Sequence, residues 1–151
     1  MEPIAALFRR SFGTLTFLPT LHTPEEDRAF FGKAVCDDEV WVWEKDGRVL
    51  GFASLGKELL DHIYVDPEAQ NRGIGTALLD HVKERRPEGI RLWTFQRNGG
   101  ARRFYDRHGF RVVELTDGSN NEEREPDMLY EWVSPAPASA PAGADRAASG
   151  R

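Results

Sequence analysis

The chain has 151 residues, 20 Lys and Arg against 25 Asp and Glu, and a formal net charge of −5, so it is about one domain without the basic surface that general nucleic-acid binding needs. Hydrophobic residues make up 40% and aromatic residues 11%, enough for a real core. A single cysteine, Cys36, excludes an internal disulfide, and the apolar runs fall far below the roughly 20 residues of a membrane span. With no signal peptide visible, a cytoplasmic location is expected.

Residues 2–12 place Ile4, Leu7, Phe8 and Phe12 at helical spacing, with Gly13 as a stop. Thr23, Pro24 and Glu26 form a capping box for a second helix over 24–35, expected to bury Ala29, Phe30, Ala34 and one face of Phe31. Alternation over 39–44 sets Val40 and Val42 against Trp41 and Trp43, and Asp46-Gly47 predicts a hairpin into a strand over 48–55. Residues 60–65 are apolar, branched and aromatic and read as a buried strand, stopped by Asp66-Pro67. A helix over 76–86 turns Leu78, Leu79 and Val82 inward, and 90–95 is a strand. Asn98 caps a helix carrying Ala101, Phe104, Tyr105 and His108 on one face, ended by Gly109. Strands over 110–115 and 128–133 flank a polar, acidic loop. The domain is expected to span 1–133, with a disordered Ala/Pro-rich tail over 134–151. The order implies an α/β protein with helices on a mixed sheet, in which the strands at 60–65 and 90–95 are parallel neighbours joined by a right-handed crossover.

The organising segment is 60–79: strand, Gly-spaced turn, helix. That arrangement aims backbone N–H groups and the positive end of a helix at an anion. No Gly-Lys-Ser/Thr follows, so it is not a P-loop, and Leu78 stands where a dinucleotide fingerprint needs a third small residue. Gln70-Asn71-Arg72-Gly73-Ile74-Gly75 resembles instead the Gln/Arg-x-x-Gly-x-Gly/Ala pyrophosphate loop of the GNAT N-acetyltransferase superfamily. A second segment, Asn98-Gly99-Gly100-Ala101-Arg102-Arg103-Phe104-Tyr105-Asp106-Arg107-His108-Gly109-Phe110, is similar to the Asn-x-x-Ala-x-x-Phe-Tyr-x-x-x-Gly-Phe stretch of the same superfamily.

The resemblance implies a three-layer α-β-α GNAT-like fold, mostly antiparallel, with a central splayed parallel pair of strands and acetyl-coenzyme A as co-substrate in the wedge. The amides of Ile63, Tyr64 and Val65 would pair with pantetheine and steady the thioester oxygen. Gln70, Asn71, Arg72, Gly73, Ile74, Gly75 and Thr76 would hold the pyrophosphate. Asn98 would touch the cofactor arm as well as cap its helix, and Tyr105 would protonate the departing thiolate. The acceptor would be a small-molecule or peptide amine, attacking directly in a ternary complex, and such proteins are often homodimers. An ammonium must lose a proton before it attacks. Where many relatives carry a Glu this chain has Leu59, so His62 or Asp61 is the expected base, with Glu122 and Glu123 favouring a cationic acceptor. Relatives usually have a strand before the first helix, whereas here Met1 falls almost at the helix. The alternatives are a non-catalytic acyl-coenzyme A sensor or a nucleotide-binding domain of another class. The four histidines lack metal-ligand spacing.

Overall fold

The computed structural model describes residues 2–134; apart from Ser134, the expected tail lies outside them. Six strands and four helices follow the order α1 (Glu2–Phe12), α2 (Pro24–Asp37), β1 (Glu39–Lys45), β2 (Arg48–Leu55), β3 (Leu60–Val65), α3 (Ile74–Arg85), β4 (Ile90–Phe95), α4 (Gly99–Arg107), β5 (Arg111–Leu115) and β6 (Asp127–Trp132). A single 3₁₀ turn at Pro67–Ala69 follows β3.

The strands form two antiparallel sheets of three, β1-β2-β3 and β4-β6-β5. β3 and β4 lie next to each other but share no ladder. The expected parallel neighbours are therefore two unpaired sheet edges facing one another, with α3 as the crossover between them.

One layer of helix covers each face. α1 and α2 bury Ile4, Ala5, Leu7 and Phe31 against Phe52, with Val40 and Tyr64 at the margin. On the other face α3 packs Ile74, Leu78, Leu79 and Val82 against Leu50, Ala53, Leu92 and Tyr130. The β1 alternation is seen in space, since Val40 joins the first cluster and Trp41 the second. Asp46 and Gly47 both take positive φ, 54° and 79°, as a two-residue hairpin turn requires.

α2 buries Phe31 and Ala34 as its sequence suggests, but Asp27 takes the inward place expected of Ala29 and Phe30. Asp27, Phe31 and Ala34 are buried, while Phe30 is 55% exposed and Ala29 is exposed. The 27/31/34 spacing is one helical stripe. Arg9 of α1 makes Asp27 admissible there by holding its carboxylate at 2.6 Å. The capping box at Thr23 and Glu26 is formed in both directions.

Candidate functional site

A cleft of about 750 Å³ opens between the facing edges of β3 and β4. Its walls are β3, the 70–76 turn, the end of β4 and one side of α4, and Ser11, Thr14 and Leu15 close one end. Asp61 is the sole acid on its lining, against Arg103 and Arg107. A chain that is acidic overall thus presents a basically biased cleft, suited to an anionic ligand.

The β3 edge supplies main-chain donors. Asp66 gives its N–H to the Leu50 carbonyl at 2.8 Å, and partners alternate along an antiparallel ladder. With Tyr64 opposite Phe52 and Ile63 opposite Ala53, Tyr64 spends its amide on β2. Ile63 and Val65 turn theirs to the open edge. Of the three amides expected to face a ligand, two do; Tyr64 lines the cleft without offering its own, its ring packed on Phe8 and Phe52. The Val65 carbonyl, on the same open side, accepts from Ser11 Oγ at 2.9 Å and Gln70 Nε2 at 3.3 Å. α1 and the turn are thereby tied to the strand end.

The turn is built on left-handed backbone. Asn71 has φ 66° and Gly73 has φ 83°. Gly73 is the N-cap of α3 and offers no side-chain cap, so the first N–H groups of the helix are left for a ligand. Nothing stands within 4 Å of a Cβ placed on Gly73; its glycine is required by dihedral angle. Gly75 is favoured by packing: a Cβ there would lie 3.3 Å from the Phe104 ring, which would have to shift by a few tenths of an ångström. Gln70, Asn71, Gly73, Ile74, Gly75 and Thr76 all line the cleft. Arg72 does not. Its guanidinium donates to the Glu68 carbonyl at 3.4 Å, and it borders a separate depression of about 260 Å³ with Lys45, Arg48 and Asp66.

Asn98 caps α4 by accepting from the Ala101 N–H at 3.1 Å, and it also lines the cleft. Tyr105 is 7% exposed, packed on Phe110 and Tyr130, and its hydroxyl has no hydrogen-bond partner among the described residues. Burial, with Tyr64 and Tyr130 beside it, raises its pKa above the ordinary phenol value, so the proton stays on. Tyr64 is raised in the same way by burial and by the charge of Glu123.

His62 and Asp61 line the cleft from opposite faces of β3. His62 sits among Phe8, Phe30, Phe31 and Tyr64, with Nδ1 buried and unpartnered. Burial pushes its pKa down to about 4, leaving a neutral and weakly basic ring. Asp61 lies against Gly56, and burial together with Asp38 raises its pKa, strengthening it as a proton acceptor. In the acidic loop, Glu122 is already committed to His22 at 3.0 Å. Glu123 is half-buried and in no ion pair among the described residues, and burial raises its pKa.

Some lining residues had no expected role. Arg103 and Arg107 stand one turn apart on α4, and their i, i+4 spacing beside the Asn98 segment was the available signal. Ser11, Thr14 and Leu15 carry no motif; only the fold brings them here. Among the described residues, no group of three His, Cys, Asp or Glu could hold a metal ion. No described helix is long and apolar enough to cross a membrane.

Residues 36–112, about half the chain, match the family model of the acetyltransferase (GNAT) domain. This chain belongs to the GNAT acetyltransferase family. The GNAT match takes in β3, the turn, α3, β4 and α4, the elements that build the cleft, and leaves α1, most of α2 and β6 outside. The chain is 38% identical over 93 residues to the peptidyl-lysine N-acetyltransferase YiaC of Escherichia coli K12, across 61% of this chain and 62% of YiaC's own length. The solution structure of apo YjaB from Escherichia coli superposes with a TM-score of 0.69 at 23% identity, covering 86% of this chain and 88% of that one. A GNAT acetyltransferase of Elizabethkingia anophelis, solved with acetyl-CoA bound, gives 0.60 at 18% identity over 70% and 82%. At these identities the two structures establish a shared fold.

Proposed function

We propose that this chain transfers the acetyl group of acetyl-coenzyme A to a primary amine by direct attack in a ternary complex. The observation that carries the reading is the cleft itself: two open β3 amides, an uncapped helix start behind Gly73, and a protonated Tyr105 all line it. A pantetheine arm has the groups to pair with Ile63 and Val65 as an added strand would. The Gly73 turn suits a diphosphate, and Arg103 and Arg107 add positive charge to the same lining.

The remaining roles follow from the chemistry. Asp61, directly or through water, takes a proton from the incoming ammonium. The free amine forms its N–C bond to the thioester carbon as the C–S bond breaks. An outward amide of β3 steadies the carbonyl oxygen while charge gathers on it. Tyr105 gives its proton to the departing sulfur, and the surplus proton that the nitrogen sheds as the amide forms returns to the tyrosinate, directly or through water. His62, neutral near pH 7, shapes the wall beside the acceptor. The likeness to YiaC, a peptidyl-lysine N-acetyltransferase, and the unpaired Glu123 support a lysine ε-amine as the acceptor.

The test is thiol release from acetyl-coenzyme A by the purified chain over a panel of lysine peptides, polyamines and amino acids. Turnover on a lysine peptide is expected. Absence of both turnover and coenzyme A binding would overturn the reading. Binding without turnover on any amine would favour a sensor, a second reading kept in view by Leu59 at the position where many relatives have a Glu.

A further inference from the structure

We infer that His108 is a positioning residue for the diphosphate of the acyl donor, turning the hydroxyl proton of Thr76 toward it; this rests on the coenzyme A reading above. His108 is the C-cap of α4, 32 residues from Thr76, yet its Nε2 lies 3.2 Å from Thr76 Oγ1. Thr76 stands in the first turn of α3 and lines the cleft beside the uncapped amides. His108 is braced on two sides. Its ring lies on Phe104, with centroids 4.6 Å apart, and its carbonyl accepts from Lys83 Nζ at 2.7 Å.

The direction of that hydrogen bond decides what Thr76 offers. A hydroxyl donating to the ring presents only lone pairs to the cleft, which repel a phosphate oxygen. A hydroxyl accepting from Nε2–H is free to donate to the phosphate. The charged groups acting on His108 are Lys83 and Arg107, which oppose a positive ring, and Asp80, which favours one. Burial and Lys83 lower its pKa, so the ring is neutral near pH 7 and its tautomer is the variable. A diphosphate in the turn selects the Nε2–H form.

The experiment is an NMR titration of the full chain with coenzyme A and with pantetheine, which lacks the diphosphate, for the wild type, His108→Leu, His108→Gln, Thr76→Val and the double variant His108→Leu/Thr76→Val. His108→Leu and Thr76→Val should each weaken coenzyme A binding about fivefold. The double variant should be no worse than either, because the two residues act as one unit. His108→Gln keeps an N–H donor and should stay within about twofold of wild type. Pantetheine affinity should not change. In the wild-type complex the ring of His108 should carry its proton on Nε2, a readout that does not depend on any variant folding. Equal loss for pantetheine, fully additive effects, or an unprotonated Nε2 in the complex would overturn the inference. A wild type that ignores coenzyme A would overturn the functional proposal itself, so the two failures are distinguishable.

Discussion

In the proposed reaction Tyr105 and Asp61 handle the protons while His62 lines the wall, each in a protonation state set by its surroundings. Tyr105 is held protonated by burial, so Tyr105→Phe should lower kcat by about 10²-fold with little change in KM for acetyl-coenzyme A, measured by steady-state thiol release. Asp61 must be a carboxylate to accept a proton, and its pKa is raised by burial and Asp38. Activity should therefore rise with pH through that elevated value, and kcat/KM profiles of Asp61→Asn should lose this limb and follow the amine alone. With His62 pushed down to about 4, no limb should appear near the ordinary imidazole value of about 6.5; one that vanished in His62→Ala would assign the base to His62 instead. The Asn98 cap and the place of Tyr105, Gly73 and Gly75 on the cleft lining were legible in the sequence, because each sits in a short segment whose pattern is local. The direction of Arg72 and the commitment of Glu122 were not. The first is settled by the Glu68 carbonyl in a turn that reverses on itself, and the second by a histidine 100 residues distant.

At the scale of elements, the β3–turn–α3 unit is fixed by backbone rather than by side chains. Gly73→Ala would force an L-residue to φ 83°, at a cost of about 1 kcal/mol in stability. It should weaken coenzyme A binding as well, since the same dihedral aims the α3 amides; urea unfolding and calorimetric titration would show both. Asp66 anchors the other end of the unit. It is 1% exposed, accepts from the Glu68 N–H at 3.0 Å, and meets Arg10 of α1 at 2.7 Å. Burial alone would raise its pKa, but the Glu68 N–H and Arg10 bring it below the ordinary carboxylate value. A depressed folded-state pKa contributes stability that is complete above the unfolded value and is lost as pH falls through the folded one. Asp66→Asn should cost about 2 kcal/mol at pH 7, tempered by the half-exposed Arg10, and the gap to wild type should close under strongly acidic conditions. Helix and strand positions were readable from periodicity. The inward turn of Asp27 in α2 was not, because a buried acid makes sense there only once Arg9 is seen beside it.

For the whole molecule, the two sheets meet edge to edge without a ladder and are held together by the helices that flank them. The layered α/β arrangement was foreseeable from element order. The family resemblance implied a splayed parallel pair within one mixed sheet; that β3 and β4 share no ladder at all was not legible, since no local sequence signal tells a paired edge from an open one. A ligand that bridges the open edges binds only the folded state, so coenzyme A at 100 times its dissociation constant should stabilise the protein by about 2.7 kcal/mol. Thermal unfolding with and without it would register the upward shift. The account stands or falls on those open donors. Amide chemical-shift mapping of the ¹⁵N-labelled chain with coenzyme A should move Ile63, Val65, Gly73, Ile74 and Gly75 strongly and Tyr64 less. Saturating coenzyme A that leaves these amides unmoved, or that moves only residues outside the cleft, would contradict it.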